Sequence, residues 1–362
     1  MKAVIVKEFG KGFSTEEVQI AAPIGQEVLV DVKASGLCHT DLTASNFNIG
    51  YATPSLLGHE VAGIVAAIGP DVTEFTVGDH VVGCLVQYCG KCEKCLSGKI
   101  YQCLHPEATL RTATDAPRVT LDGAPIEQGF GLGGFAEQSL IHESQLVKVA
   151  DAMPFPQAAL LGCGVVTGAG AVLNSANVQA GDSVVILGAG GVGLNAISGA
   201  VVAGATTIIA VDVADDKLEK ARRFGATHVV NSKTTDPVVA VREITGGGAD
   251  AVFDFVGLPA VSAQGLEMAG IGGGLYLIGA LNPEHGFTVN NIATIGGQKH
   301  VHGVIMGSTT PKRDIPLYAD LYLQGKFNLD DLVSKEISLG EVNEGYEALH
   351  DSAVTRVVIT SF

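Results

Sequence analysis

Positive charge is scarce in this chain: 22 Lys and Arg stand against 38 Asp and Glu, a formal net charge of −16. Like charges repel, so a protein this acidic is a poor ligand for nucleic acid or an anionic membrane surface. An anionic cofactor would need local positive groups to offset that field. No secretory leader is expected from the N-terminal residues. Ala3-Val4-Ile5-Val6 is too short for the apolar core of one and runs into Lys7 and Glu8. Nor is there a long uninterrupted apolar run. The segment Ser183 to Val211 comes nearest, but Gly188, Gly190, Gly191, Gly193, Asn195 and Ser198 break it, and a buried strand, turn and helix fits better than a membrane span. Internal repeats, low-complexity tracts and long linkers are lacking too. These absences lead us to expect a cytoplasmic protein with neither nucleic acid nor membrane as partner.

What is present points to an α/β protein. At roughly 100–200 residues per domain, 362 residues imply two domains. A hydrophobic share of 47% argues against extensive disorder, and the 47 glycines follow no collagen-like period. Strand-like runs rich in Val, Ile and Leu recur at 2–6, 27–33, 61–68 and 80–86 without long helices between them, so the first domain is expected to be mostly β. From about residue 165 the pattern changes. Apolar strands at Ser183–Leu187, Thr207–Val211, Ala251–Val256 and Gly274–Ile278 alternate with helical stretches at Gly191–Ala203 and Ala214–Phe224. That alternation predicts a doubly wound parallel sheet. The C-terminal segment is mixed and ends in the strand-like Thr355–Thr360.

The first of those strands runs into Gly188-Ala189-Gly190-Gly191-Val192-Gly193, and Asp212 follows nineteen residues after Gly193, at the end of the next strand. A lone GxGxxG is a weak signal. Between a strand and a helix, with the acidic residue in place, it reads as a dinucleotide fingerprint. The glycines admit a pyrophosphate to the backbone, and the helix N-terminus offers free N–H groups. Asp212 can accept hydrogen bonds from the ribose hydroxyls and would repel a 2′-phosphate, which favours NAD over NADP. Lys217 is a candidate for a further ribose contact.

The seven cysteines are an odd number, and four of them crowd into Cys89, Cys92, Cys95 and Cys103. In a chain without a leader such a cluster points to metal before disulfides. Four thiolates suit a closed structural zinc, pinning a lobe too polar to pack itself, with Lys91, Glu93, Lys94, Ser97 and Lys99 inside it. An iron–sulfur cluster is the alternative for four thiolates; the short spacing and the dinucleotide fold favour zinc. A second, dispersed set is Cys38, His59 within Gly58-His59-Glu60, and Cys163 within Gly162-Cys163-Gly164. Two thiolates and an imidazole with one open position make a catalytic zinc site, provided the three converge. Cys84 is read as a buried apolar residue.

Over its full length the chain resembles the zinc-containing medium-chain alcohol dehydrogenases. The resemblance is carried by Cys38-His39-Thr40-Asp41, Gly58-His59-Glu60, the four-cysteine lobe, Gly162-Cys163-Gly164 with Thr167-Gly168, the Gly188–Gly193 loop with Asp212, and Arg356 in the last strand. It implies a mostly β, GroES-like catalytic domain (residues 1–164, with the zinc lobe at 89–103, and 306–362). A Rossmann domain (residues 165–305) would bind NAD, and the active site would lie in a cleft. It further implies two zinc ions per chain and a homodimer or homotetramer acting on an alcohol and its aldehyde. Thr40 would take the alcohol proton, Asp41 would orient His59, and Glu60 would lie behind the zinc. His39 and Arg356 would approach the pyrophosphate, and Thr167 would sit near the nicotinamide. Ile278 joins Gly188, Gly190, Gly191, Val192, Gly193, Asp212 and Lys217 in the cofactor set.

Two departures matter. Many relatives have a histidine five residues after the first cysteine ligand, ending a proton relay; here that residue is Thr43, so the relay is shortened or rerouted through His39. Thiol-adduct formaldehyde dehydrogenases share the Cys-His-Thr-Asp motif and the long segment 104–134. They carry acidic residues between the first cysteine and Gly-His-Glu, where this chain reads Ser45-Asn46-Phe47-Asn48-Ile49-Gly50, and an arginine where it has Glu107. The expected reaction is therefore oxidation of a primary alcohol, aryl or allylic, with the thiol adduct as alternative. Leu85 and Gly129, small at positions where relatives are bulky, are expected to widen the cleft, leaving Ile49, Phe130 and Leu132 as its walls. A zinc lobe that binds a partner without catalysis is the alternative of another class, and the acidic charge argues against its nucleic-acid form.

Overall fold

The strands Ser183–Leu187, Thr207–Asp212 and Ala249–Asp254 build the centre of a sheet because each is apolar enough to be buried on both faces, whereas the flanking His228–Asn231 and His300–Gly303 are partly or wholly exposed. In a computed structural model, which describes residues 1–279 and 286–362, the chain divides into two units: Gly164–Thr309, and Met1–Cys163 with Thr310–Phe362. In the unit Gly164–Thr309, six strands run parallel: Ser183–Leu187, Thr207–Asp212, His228–Asn231, Ala249–Asp254, Ala269–Leu277 and His300–Gly303. Their order across the sheet is third, second, first, fourth, fifth, sixth. The first strand thus pairs with the second (Val184 opposite Ile208) and with the fourth (Val185 opposite Val252). The reversal of direction beside the first strand opens a crevice at the carboxyl ends of the strands, where α/β sheets take their ligands. This is the Rossmann-type sheet expected from the sequence.

The other unit is mostly β, as expected. Strand Glu27–Gly36 is central to a seven-stranded sheet, pairing with Glu60–Ile68, Gln138–His142 and Arg356–Ser361. A smaller sheet places Lys2–Val6 between Ser14–Glu17 and Ser55–Leu56. One core cluster holds Ile5, Leu37, Leu57, Phe135 and Tyr346; another holds Val30, Val61, Leu132 and Ile141. The chain end belongs to this unit because Arg356–Ser361 closes onto Glu27–Gly36, with Val358 opposite Gly36. Among the described residues one helical run, Phe155–Ser175, is long and apolar enough to cross a membrane, and 83% of it is buried in the protein.

Sheet and long loop are tied by a buried charge cluster that the sequence pattern did not suggest. Glu27, 3% exposed, receives Arg118 Nε at 2.7 Å and Arg111 Nη2 at 2.6 Å. Arg118 also donates to the Thr109 carbonyl, and Arg111 to those of Ala22 and Ala116. Burial pushes the Glu27 carboxyl up, but hydrogen bonds from Arg111, the Ile24 N–H and Arg118 outweigh it, so its pKa is lowered. A carboxylate with a depressed folded pKa gives stability that is whole above its ordinary titration range and lost as pH falls through the lowered value. Glu27→Gln leaves two buried guanidinium groups short of their counter-charge, and should cost about 3 kcal/mol. Urea denaturation at neutral pH checks it; a loss under half that size would mean that solvent already screens the cluster.

Candidate active site

Cys38, His59 and Cys163 come from three places in the fold. Cys38 precedes the helix His39–Asn46, and His59 precedes the strand Glu60–Ile68. Cys163 lies in a π-helical turn, Leu161–Val165, inside the long apolar helix. Such wide turns are uncommon and cluster at functional sites. Gly162 is obligatory there, since a Cβ would stand 2.0 Å from the Gly83 carbonyl oxygen.

The three converge. With Glu60 they place one donor atom each within 4.8 Å of one another, and His59 Nε2 is 3.3 Å from Cys163 Sγ. Asp41 sits behind the imidazole, its Oδ2 2.9 Å from His59 Nδ1 and its Oδ1 accepting the Gly58 N–H. Both side chains are completely buried. The carboxylate therefore fixes the imidazole tautomer with Nε2 free to donate to a metal. Hydrogen bonding from Cys163 lowers the Cys38 thiol well below its usual range against the cost of burial, and the His59 and Arg356 charges assist. A thiolate, a second thiol and an oriented imidazole are the donor chemistry of a catalytic zinc. Neither Glu60 carboxylate oxygen has a hydrogen-bond partner in this buried place. Burial raises the Glu60 carboxyl to about 7, against the pull of Arg356.

Arg356 has a partner that the sequence did not suggest: its Nη1 stands 3.2 Å from Glu60 Oε1, with both side chains buried. Tyr346, also unforeseen, donates its hydroxyl to the Cys38 carbonyl at 3.1 Å and stacks on Phe13. It comes from the helix Val342–Ala348, so the C-terminal segment steadies the first cysteine. His39 and Thr40 are exposed at the start of their helix. The Thr43 hydroxyl donates to the His39 carbonyl at 3.0 Å.

One flank of the donor set is aromatic. The Phe130 ring lies 5.1 Å from the His59 ring and 5.0 Å from Tyr51, edge-to-face in both cases. Phe130 has φ 56°, a left-handed backbone that costs a bulky residue about 1–3 kcal/mol. The Gln145 amide holds it by donating to the Phe130 carbonyl at 2.9 Å. Ile49 is exposed, as a wall residue would be, but Leu132 is fully buried in the sheet core and offers no surface to a cleft. Leu85 packs against that same core. Gly129 leaves no room beside the zinc donors either: a Cβ there would meet Leu57 Cδ2 at 2.7 Å, so its missing side chain faces Leu56 and Leu57. The widening expected of Gly129 is corrected accordingly: that position belongs to the packed interior, and a bulky residue there would strain it. Leu85 is half-buried, one side of it against the sheet core.

The lobe forms the other donor group. Cys89, Cys92, Cys95 and Cys103 hold their sulfurs within 4.8 Å of one another. The N–H groups of Cys89 and His105 both donate to Cys103 Sγ, at 3.2 and 3.3 Å. Backbone hydrogen bonds from Leu104 and Cys95 bring the Cys92 thiol down to about 6. Four clustered sulfurs with thiolate-favouring backbone fit a closed tetrahedral zinc. Cys84 stands apart, fully buried, its thiol pushed up to about 12 by burial.

In the other unit, Gly188–Gly193 turns from the first strand into the helix Gly191–Ala203, whose N-cap is Gly190. Gly193 lets helix and strand end touch, since a Cβ there would lie 2.0 Å from the Gly188 carbonyl oxygen. Asp212 ties the loop together: Oδ2 accepts the Ala189 N–H at 2.8 Å, and Oδ1 those of Val213 and Ala214. Val192, Lys217 and Ile278 are half-buried, and the Ile278 N–H donates to the Asp254 carbonyl. The Thr167 hydroxyl reaches Met306 Sδ at 3.6 Å. Met306, Gly307 and Ser308 all have positive φ, a tight left-handed turn with no local sequence signal beyond its glycine.

Known proteins share this arrangement. Residues 25–151 match the alcohol dehydrogenase GroES-like domain, and residues 191–324 match the zinc-binding dehydrogenase domain. The chain is 35% identical to the S-(hydroxymethyl)glutathione dehydrogenase of Paracoccus denitrificans over 99% of both chains. It is 37% identical to the NDMA-dependent alcohol dehydrogenase of Amycolatopsis methanolica, covering 99% of this chain and 98% of that one. Its fold superposes on the crystal structure of benzyl alcohol dehydrogenase from Acinetobacter calcoaceticus with a TM-score of 0.94 and 37% identity, over 100% and 99% of the two chains.

Proposed function

The chain belongs to the zinc-containing alcohol dehydrogenase family, and on that premise we propose that it oxidises a primary aryl or allylic alcohol to the aldehyde, with NAD rather than NADP as partner. The observation that carries the substrate class is the Phe130 ring set edge-on against His59. An aromatic surface beside the donor set favours a flat apolar alcohol.

Cys38, His59 and Cys163 would hold the catalytic zinc, and the four lobe cysteines a structural one. When bound, zinc supplies the Lewis acidity that lowers the alcohol's pKa, and NAD supplies the hydride acceptor. Asp41 keeps Nδ1 of His59 protonated so that Nε2 faces the metal. Thr40 receives the alcohol proton at its hydroxyl and hands it towards His39 and solvent, because Thr43 is tied to the His39 carbonyl. Glu60, paired with Arg356, stands behind the donor set. Glycines 188, 190, 191 and 193, with Val192, cradle the pyrophosphate; Asp212 and Lys217 hold the ribose, and Thr167 and Ile278 flank the nicotinamide. His39 and Arg356 supply positive charge for the phosphates.

In this reading residues 1–164 and 306–362 are the catalytic domain and 165–305 the NAD domain. The enzyme is cytoplasmic, a homodimer or homotetramer, and works without nucleic acid or membrane. The 35% identity to S-(hydroxymethyl)glutathione dehydrogenase favours a second reading, a thiol-adduct formaldehyde dehydrogenase. Against it, the stretch Ser45–Gly50, where such enzymes carry acidic residues, has none here and exposes Phe47 and Ile49 instead.

A substrate panel read by NADH absorbance tests the proposal. Benzyl or cinnamyl alcohol should exceed ethanol in kcat/KM by about thirtyfold, the worth of burying most of one phenyl group. NAD should exceed NADP by at least about tenfold. Ethanol or S-hydroxymethylglutathione ahead of the aryl alcohols, or NADP equal to NAD, would sink it.

A further inference from the structure

We propose that Tyr51 is a specificity-determining residue: with Phe130 it forms a fixed aromatic wall, one ring removed from His59, that selects the flat unsaturated body of an alcohol over a saturated body of the same shape. The inference rests on the reading above in taking the alcohol oxygen to be held at Cys38, His59 and Cys163.

The rings of His59, Phe130 and Tyr51 run in file, at centroid separations of 5.1 and 5.0 Å and interplanar angles of 60° and 64°. Edge-to-face contacts of this kind are the preferred geometry between π systems, and a substrate arene entering the file gains the same contact, whereas a cyclohexane ring gains only area. The file is also fixed in place. Phe130 is held in a left-handed backbone by Gln145, whose amide donates to the Phe130 carbonyl at 2.9 Å. A wall that discriminates planarity must not yield, and this tie, with the Tyr51 ring packed edge-on against Phe130, keeps it from repacking around a puckered ring.

The setting of Tyr51 points the same way. The segment leading to it, Phe47-Asn48-Ile49-Gly50-Tyr51, exposes Phe47 at 68% and Ile49 at 41%. Single exposed apolar residues are unremarkable, but two within three positions, followed by a half-buried tyrosine on the catalytic histidine's aromatic neighbour, mark an apolar approach. A tyrosine suits the end of such a stretch, with a ring for contact and a polar tip for anchorage.

The test measures binding as well as turnover. Zinc-loaded enzyme saturated with NADH does not oxidise alcohol, so calorimetry can give the Kd of benzyl alcohol and of cyclohexylmethanol, its saturated counterpart. In Tyr51→Leu the Kd for benzyl alcohol should rise about fivefold to tenfold, the size of a lost aromatic pair, and that for cyclohexylmethanol no more than about twofold. Tyr51→Phe should keep the wild-type ratio. In turnover, Tyr51→Leu should raise KM for benzyl alcohol with kcat within about twofold. Tyr51→Met serves in its place should the leucine variant fail to fold. Equal losses for the two alcohols, no loss for either, or no measurable binding of benzyl alcohol to the wild type would overturn the proposal. Wild-type turnover that favours ethanol, with the selective binding loss intact, would instead fail the aryl-alcohol reading and leave the wall standing.

Discussion

Cys163→Ser should reduce turnover by more than about a thousandfold while leaving the protein folded, with the metal content falling from two zincs per chain to one. The reason is that Cys163 lies in an open donor set. Removing one of three ligands weakens the metal directly, and the neighbouring Glu60 carboxylate, paired with Arg356, does not supply a thiolate's soft donor. The fold should tolerate the change. Serine is smaller than cysteine, and the tight contact at this turn is made by Gly162 against the Gly83 carbonyl, not by the Cys163 side chain. The thermal midpoint should therefore stay within about 3 °C of wild type, since losing one small buried thiol costs under about 1 kcal/mol. Metal analysis, a melting curve and an NADH assay on one preparation decide it. Near-full activity with one zinc would show that Cys163 is a packed core thiol, and the donor set would have to be sought elsewhere.

How much of this could be read before the structure depends on whether the signal is local. The Rossmann sheet was legible through four of its six strands, and the helix Gly191–Ala203 begins and ends where its glycines place it; His228–Asn231 and His300–Gly303, short and partly or wholly exposed, carry no such signal. The four-cysteine lobe was equally plain, its ligands lying within fifteen residues. Convergence of Cys38, His59 and Cys163 is a long-range fact, and only the resemblance to a family suggested it. The Arg356–Glu60 pair, the Tyr346 hydrogen bond to Cys38 and the Glu27–Arg111–Arg118 cluster join residues tens to hundreds of positions apart. No periodicity carries that information. The widening expected at Gly129 and the wall expected of Leu132 failed for a related reason. Small residues at 85 and 129 suggested space, but which way a side chain points depends on the local backbone, and at Gly129 that direction leads to Leu57. Phe130, expected as a wall, does lie beside His59, but nothing in the sequence indicated its left-handed φ.

Cys95→Ser should do the opposite of Cys163→Ser: it should unfold part of the protein before it touches the chemistry. The lobe has little else to hold it. Its only α-helical piece is Glu93–Leu96, four residues long, and Leu96 points outward at 75% exposure. Its interior carries three lysines and a glutamate, side chains that cannot build a core. Cys95 and Ile100 are its buried residues between positions 89 and 103. What orders the segment is then the closed set of four thiolates, and in such sites metal binding is itself folding free energy, on the order of 10 kcal/mol in isolated zinc peptides. Part of that is offset here because the rest of the fold already brings the loop ends together, so a loss of about 3–5 kcal/mol is expected, a fall in thermal midpoint of roughly 5–10 °C for a chain of this size. Proteolysis should cut first within 89–103, where local order is lost. The catalytic donors lie outside that segment, so the intact fraction should retain kcat within about threefold when assayed well below the new midpoint. A melting curve shifted by less than about 2 °C, with the lobe still protected from protease, would show that the loop is ordered by packing alone and that the four sulfurs do not hold a structural metal.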